Sequence, residues 1–506
     1  MIFFSSFLRF RRHARAFSSS TAPGILKRYE QFQQEFPEHL VLMQVGDFYE
    51  IYGDAVEPAA KILDIAVTRA PNKSAAGMDA SSSSAVPMTG FPVRSFDSFL
   101  GKLIKAGVSV VVADQFALPD SNRFDRRVSR IITPGTVLEE SLLDRNRNNF
   151  ILFLDGRTCA WMDISTGDFF YSTASSDGEL SSLLARLKPR EVLTEKSLES
   201  FKEINGLLKR SGTLIRILKE TQNVDINDVD ILPSTSISKK EMQAAAKLLN
   251  YVKSALRGSL DSVALKPLCH FAPSRHFLSI DADSFRSLDI LSTNASDATL
   301  FNTLNECQTA LGSRLLARRL QAPFLNPADI RAAHDRVQAF TETGLKSLNT
   351  LQSKLAEVGD IERILQRLCL RRPQGVARDL KSLARSLLSA SEAFKLQSRC
   401  LLSRELEDHL SLIPTALNDK LPLRDADGDL FRPSFSSSLD ELRQLRDNSA
   451  AVFAQLAGEY RQISGIANLR IIPFKGDQQV VEVPKSAILP TDSKQPSEHM
   501  SDINIL

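Results

Sequence analysis

The chain has 506 residues with 43% hydrophobic and 24% charged content, enough to bury several cores and to divide into roughly three or four domains. A formal net charge of +3 over that length excludes a strongly basic overall field, so any contact with nucleic acid must come from local basic patches. Cys159, Cys269, Cys307, Cys369 and Cys400 are scattered without a Cys-x-x-Cys pair; they indicate neither zinc nor a disulfide framework and read as thiols in a reducing compartment.

Residues 1–23 carry Arg9, Arg11, Arg12, His13 and Arg15 among Ile2, Phe3, Phe4, Phe7, Leu8 and Phe10, and the first acidic residue is Glu30. That is the composition of a mitochondrial transit peptide, whereas the apolar run of a secretory signal would be broken by Arg9 and Arg11. No later segment offers the ~20 apolar residues of a membrane helix, so no membrane partner is expected.

From Leu26 to Leu143 helices and strands alternate. Leu40 to Val45 reads as a short buried strand. Phe96, Phe99, Leu100, Leu103 and Ile104 form a helical stripe ended by Gly107, and Val108 to Ala113 is a β-branched strand. The sum is a small mixed α/β domain at 24–145, in which the serine run at 80–85 reads as a mobile surface loop. A second domain, 146–238, shows strands Phe150–Asp155, Thr158–Ile164, Gly167–Ser172 and Glu191–Thr194 with a helix at Leu180–Leu187. Residues 239–425 turn helical, with 3.6-period stripes at Lys239–Leu256, Ala310–Gln321, Asp329–Phe340 and Gly359–Leu370. From 426 to 485 a capping box at Ser438-Leu439-Asp440-Glu441 opens one long helix. Strands Ala467–Phe474 and Gln478–Val483 then flank Lys475-Gly476-Asp477. The polar stretch 486–506 reads as disordered.

The chemistry concentrates in Val45-Gly46-Asp47-Phe48-Tyr49-Glu50. On an extended strand residues i and i+2 share a face, so Phe48 and Glu50 project together while Tyr49 turns back. A phenyl ring on an exposed face can push between stacked bases and kink a duplex. A carboxylate near phosphates is repelled unless it accepts a hydrogen bond from a base N–H that correct pairing would hide. The plain alternative for Phe48 is a core residue. Arg69, Lys73, Arg94, Arg126 and Arg127 are cations that could hold phosphates, and Met88 could touch the groove or fill the core. Arg314 with Arg318, and Arg363 with Arg367 and Arg371, recur every four residues; ion pairs to Asp360 and Glu362 are favoured over a DNA-facing stripe.

Seven collinear blocks carry a resemblance: GDFYE (46–50), VPMTGFP (86–92), RIITPGT (130–136), DISTGDF (163–169), TALGSRLLARRLQAP (309–323), DIER (360–363) and LDELR (439–443). With them the chain resembles the MutS family of DNA mismatch-repair proteins from about Tyr29 to Pro484. The resemblance implies a multidomain α/β plus α architecture: a mismatch-recognition domain, a ribonuclease-H-like connector, a long-helix core or lever domain, and a clamp with a β-hairpin. It implies Phe48 as the base-stacking residue, Glu50 as its hydrogen-bonding partner, and Arg470 and Lys475 as phosphate contacts at the clamp tip. The implied partner is duplex DNA with mispairs or small loops, bound by a homodimer in full-length members, which use ATP and Mg²⁺.

Departures are Arg94 where the family has His, Ala113-Asp114-Gln115 for Cys-Glu-Gln, Asn305 for Asp, and PFKGDQQVVEV without the family's Gly-Tyr pair. No G-x-x-x-x-G-K-S/T segment occurs, so no cofactor, no catalytic residue and no metal ligand is assigned within this chain, which reads as a portion lacking the ATPase domain. Two alternatives stand beside mismatch binding. One is a branched-DNA-binding or dominant interaction module without mismatch specificity. The other is a nuclease using Asp155, Asp163 and Asp168 around two metal ions.

Overall fold

The computed structural model describes residues 24–69, 86–117, 124–198, 201–218, 237–257, 263–271, 277–278, 280–291, 298–342, 345–370, 375–396, 402–422, 425–474 and 478–484. The expected transit peptide, the serine loop, Lys73, Arg371, Lys475 and the expected disordered tail lie outside the described residues. The chain divides into two compact units, one running through Pro414 and taking in 423–426, the other comprising 415–422 and the residues from Asp427 onward. Among the described residues no helix is long and apolar enough to cross a membrane.

The first unit begins with helix α1 (Gly24–Glu35) and a six-stranded sheet of β1 (Leu40–Val45), β2 (Phe48–Tyr52), β3 (Thr68–Arg69), β4 (Pro87–Pro92), β5 (Val110–Ala117) and β6 (Phe124–Ile132), ordered β3-β4-β2-β1-β5-β6. Only β1 and β5 pair in parallel; the other neighbours are antiparallel. The first four residues of the central strand β1, Leu40 to Met43, are apolar and buried because both faces are covered there. Leu40 and Leu42 meet the stripes of α2 (Val56–Leu63) and α3 (Phe96–Lys105), whose Leu63, Leu100 and Leu103 are fully buried. Val41 and Met43 face α1 through Tyr29 and Phe32. The strand expected to stop at Ala113 continues to Ala117 and pairs with β6 down to Phe124, across a bulge in which Ser129 falls between the partners of Val112 and Ala113. Its polar Asp114 and Gln115 hide that extension from an apolar-run criterion.

The second sheet contains β7 (Ile151–Asp155), β8 (Thr158–Asp163), β9 (Asp168–Thr173), β10 (Glu191–Thr194), β11 (Leu214–Ile217) and β12 (Cys269–His270), ordered β11-β10-β7-β8-β9-β12. β7 to β9 form an antiparallel meander, and β10 and β11 add in parallel beside β7. Helices α4 (Asp177–Leu187) and α5 (Lys202–Arg210) cover one face. The other face is covered by α6 (Lys239–Ala255), which buries Ala244, Ala245, Leu248, Leu249 and Val252 against Ile151, Phe153 and Met162. This differs from the sequence reading, which grouped 239–256 with the helical domain. A 3.6-residue period shows that a helix has an apolar face but not which partner covers it. The helix starts in a capping box, with Ser238 Oγ accepting from the Glu241 amide and the Glu241 carboxylate accepting from the Ser238 amide.

The helical region follows as α7 (Ala282–Ser287), α8 (Leu300–Leu304), α9 (Ala310–Gln321), α10 (Pro327–Glu342), α11 (Leu345–Ala356), α12 (Ile361–Cys369), α13 (Val376–Lys395) and α14 (Arg404–Ala416). Thr309 caps α9 by accepting from the Gly312 amide at 3.0 Å, and Asp360 caps α12. The arginines repeated every four residues serve architecture. Arg314, only 1% exposed, donates to both Asp360 carboxylate oxygens at 2.7 and 2.8 Å and to Glu362 at 2.8 Å. Arg363 donates to the carbonyls of Asp144 and Arg147 at 2.9 and 2.8 Å. Lys266 bridges Asp168 and Glu362 at 2.8 and 2.6 Å, and Arg367 pairs with Asp379 at 2.7 Å. These bonds join the segment after the first sheet, the β8–β9 turn of the second, and helices α9 and α12 into one buried polar joint.

Gly167, in the DISTGDF turn, sits at φ +76°, and a Cβ there would lie 2.3 Å from the Ala264 carbonyl and 2.6 Å from Gln366 Nε2. Those two atoms already bond each other at 2.6 Å. Gly167→Ala is therefore expected to destabilise the first unit by on the order of 2–4 kcal/mol, combining left-handed strain with overpacking. A thermal unfolding midpoint equal to that of the parent chain would contradict this.

In the second unit, Leu417 bridges Phe431, and two helices, α15 (Ser437–Asp447) and α16 (Ser449–Ser464), precede the antiparallel pair β13 (Arg470–Phe474) and β14 (Gln478–Glu482). The expected capping box at Ser438 is displaced. Ser436 caps the helix by accepting from the Leu439 amide, and Asp440 instead accepts from the Ser434 amide at 2.7 Å. The expected single helix is interrupted at Asn448, and the first hairpin strand starts at Arg470, three residues later than expected.

Candidate nucleic-acid interface

Strands β1 and β2 turn over in two residues, with Gly46 at φ +61° and Val45 paired to Phe48. Polar bonds from neighbouring strands brace this tip. The Gly46 amide donates to Gln115 Oε1 at 3.2 Å, and the Gln115 amide donates to Gln44 Oε1 at 3.0 Å. Arg126 donates through Nε to the Gln44 carbonyl at 2.8 Å and through Nη2 to Gln115 at 3.2 Å, while the Val93 amide holds the Asp47 carbonyl at 2.8 Å. A turn tied to β4, β5 and β6 presents its side chains in fixed directions.

Phe48 is 47% exposed at this tip. Full burial of a Phe is favourable by roughly 1.5–3 kcal/mol, so a braced, half-exposed ring forgoes part of that stabilisation. Tyr49 takes the opposite face, is buried, and donates to Asp114 Oδ1 at 2.6 Å with its ring 5.0 Å from Phe96. Glu50 returns to the Phe48 face, half-buried, and accepts a hydrogen bond from the Tyr52 hydroxyl. Opposite Glu50 stands Gly90, where a Cβ would fall 2.7 Å from the Tyr49 carbonyl and 3.3 Å from Glu50 Cγ. The Tyr49 backbone thus excludes a Cβ at position 90, and the Glu50 stem passes close to the space left open.

The remaining sequence-selected residues are distributed unevenly. Met88 pairs with Tyr52 and packs against the Tyr29, Phe32 and Met43 cluster, which is the core side of its two readings. Arg126 lies on the Phe48 face, half-buried and committed to bracing the tip. Arg127, its neighbour on β6, necessarily points to the other face; it is exposed and pairs with Asp125 at 2.8 Å. The hydrogen bond from Arg127 holds the Asp125 carboxyl below its ordinary value. Arg69 is exposed on the edge strand β3, and Arg94 is exposed in the short turn after β4. Arg470 is exposed at the start of β13 in the second unit. Tyr52, Gly90 and Gln115 are not among the site residues selected from sequence, although Gly90 and Gln115 lie in segments compared with the family and the i, i+2 spacing from Phe48 through Glu50 runs on to Tyr52.

The carboxylates proposed for a nuclease do not converge. Asp155 is exposed at one end of the β7–β8 hairpin and Asp163 is buried at the other, roughly 16 Å along the strand. Asp163 and Asp168 both accept from Asn148 Nδ2, at 2.9 and 3.1 Å, and Asp168 also holds Lys266. Among the described residues no three His, Cys, Asp or Glu side chains are gathered around a metal-sized space.

Two mixed six-stranded sheets, a helical region and a braced tip carrying an aromatic–carboxylate pair define a multidomain mixed α/β protein. Family models match it in sequence order: MutS domain I over residues 23–141, MutS domain II over 155–264 and MutS domain III over 283–470. The chain belongs to the MutS family. It is 31% identical over 490 residues to the DNA mismatch repair protein MutS of Dinoroseobacter shibae, covering 90% of this chain and 53% of that protein. The DNA mismatch repair protein MutS of Thermus aquaticus is 29% identical over 453 residues, covering 89% and 53%. That of Rhodopseudomonas palustris strain HaA2 is 30% identical over 488 residues, covering 88% and 52%. The chain spans about half the length of the curated relatives it matches. The domain II match, which runs to residue 264, includes all of α6, in keeping with its packing on the second sheet.

Proposed function

We propose that this chain binds duplex DNA containing a mispair or a small loop, with Phe48 entering the base stack and Glu50 accepting a hydrogen bond from an exposed base N–H, and so initiates mismatch repair. The observation that carries the reading is the joint projection of Phe48 and Glu50 from one face of a braced hairpin tip. The names of its relatives support it. Such an arrangement selects DNA that is already easy to unstack, because the cost of opening a step is lowest at a fault. Arg69, Arg94 and the clamp residue Arg470 serve as phosphate contacts on this reading, and the strand order of the second sheet supports a ribonuclease-H-like connector with an architectural role. ATP, Mg²⁺ and the homodimer belong to the full-length family members, with no residue of this chain assigned to nucleotide.

Band-shift titrations with matched duplex, a G·T duplex and a four-way junction test the reading, with Mg²⁺-dependent cleavage scored in the same samples. The G·T complex is expected to be the tightest, and all three DNAs are expected to stay intact. Equal or tighter binding to the junction would favour a branched-DNA module instead.

We further propose that the protein acts on mitochondrial DNA, on the strength of the arginines that precede the first acidic residue. A reporter fused to residues 1–30 is expected in mitochondria, and in the cytosol once Arg9, Arg11, Arg12 and Arg15 are replaced by Glu. Mitochondrial signal from both fusions would contradict the assignment.

A further inference from the structure

We infer that Tyr52 is a positioning residue for mismatch discrimination: its hydroxyl holds the Glu50 carboxylate in the orientation that meets a base, so that part of the cost of ordering that side chain is met before DNA arrives. The inference rests on the proposed role of Glu50 and extends it to a residue with no assigned part.

Three features converge on it. Tyr52 follows Glu50 by two residues on β2, so their side chains share a face, and its hydroxyl donates to Glu50 Oε2. The Tyr52 ring is itself fixed, buried to 7% exposure and set edge-on to Tyr29 at 5.2 Å; the Tyr29 hydroxyl in turn donates to the Val41 carbonyl. On the third side, the missing Cβ of Gly90 leaves the Glu50 side chain its space. A freely rotating glutamate would have to be ordered on binding, and that cost would come out of the affinity. A carboxylate has two oxygens and roughly four acceptor positions, so the bond from Tyr52 to Oε2 leaves Oε1 the capacity to accept from a base. Tyr52 stays in its hydroxyl form at working pH, since burial and the Glu50 carboxylate both push its ionisation well above the usual tyrosine range.

Tyr52→Phe removes only the hydroxyl and keeps the ring in place. It is expected to lower the affinity ratio of G·T over matched duplex by roughly threefold to tenfold, the cost of ordering one rotamer-rich side chain on binding, while the protein stays folded with at most a small shift in its thermal unfolding midpoint. In a Glu50→Gln background the same substitution should have a different and smaller effect on the ratio. A merely structural role is separated by a third DNA in which the mispaired thymine is replaced by its difluorotoluene isostere, which has no ring N–H. On that duplex Tyr52→Phe should leave the ratio unchanged, because there is no base N–H to donate to Glu50. An unchanged G·T ratio in Tyr52→Phe, with Glu50→Gln still lowering it, overturns the positioning role alone. An unchanged ratio in Glu50→Gln overturns the reading of Glu50 on which it rests. A loss of equal size on the isostere and on thymine overturns it in favour of a general effect on the fold.

Discussion

Phe48→Ala is expected to remove the preference for mispaired over matched duplex while leaving salt-sensitive binding to both. Base–aromatic stacking is worth about 1–3 kcal/mol per base, and each 1.4 kcal/mol corresponds to about tenfold in affinity. Because the ring is half-exposed at a turn whose backbone bonds do not involve it, truncation should leave the fold and the bracing bonds of Gln115 and Arg126 intact. The residual binding should be the phosphate term alone, falling steeply and equally for both duplexes as salt rises. Fluorescence-anisotropy competition between the two duplexes at two salt concentrations measures this directly. A mutant that keeps the parental preference would show that another group opens the stack.

Arg314→Met is expected to have the largest effect on stability. The guanidinium is almost completely buried among Asp360, Glu362 and the Arg145 carbonyl, so its removal takes the two short charged bonds from the buried Asp360 carboxylate and leaves it, among the described residues, only the Arg363 amide and the Arg363 guanidinium at 3.7 Å, at a cost of about 3–5 kcal/mol. Replacing Asp360 by Asn in the same chain should recover part of the loss, whereas two independent sites would give additive losses. Burial pushes the Asp360 carboxyl up, but the Arg314 guanidinium overrides it and holds the group below its ordinary value. The stability of the pair is therefore fully present above the ordinary carboxylate pKa of about 4 and is lost as the pH falls through the lower native value. The gap in unfolding midpoint between parent and Arg314→Met should accordingly be wide near neutrality and narrow in acid. A gap independent of pH would mean that the arginine stabilises through packing of its stem.

What the sequence made legible follows from the kind of signal each element leaves. Leu40–Val45 and Ile151–Asp155 are readable as strands because each opens on four consecutive apolar residues, Leu40 to Met43 and Ile151 to Leu154, that are covered on both faces. The end of β5 and the start of β6 are partly exposed, and their polar residues conceal the pairing of Gln115 with Arg126. Helix α6 was visible as a helix, yet its assignment to the second sheet depends on contacts some 90 residues back in sequence, such as Leu248 with Phe153, which periodicity does not encode. In the site, alternation along β2 was enough to place Phe48 with Glu50 and against Tyr49. The same alternation separates Arg126 from Arg127, two neighbours on β6 that the phosphate-contact expectation grouped together. The Tyr52–Glu50–Gly90 arrangement requires the register of β2 against β4, which joins residues about 40 positions apart, with helix α2 and strand β3 between them.

The central claim is that binding unstacks the duplex at the fault. It is tested most directly by placing 2-aminopurine, whose fluorescence is quenched by stacking, beside a G·T pair and titrating with the unsubstituted chain. The account predicts a saturable rise in fluorescence on the mispaired duplex, little change on the matched one, and no rise with Phe48→Ala. Binding to the G·T duplex with the fluorescence still quenched would contradict it.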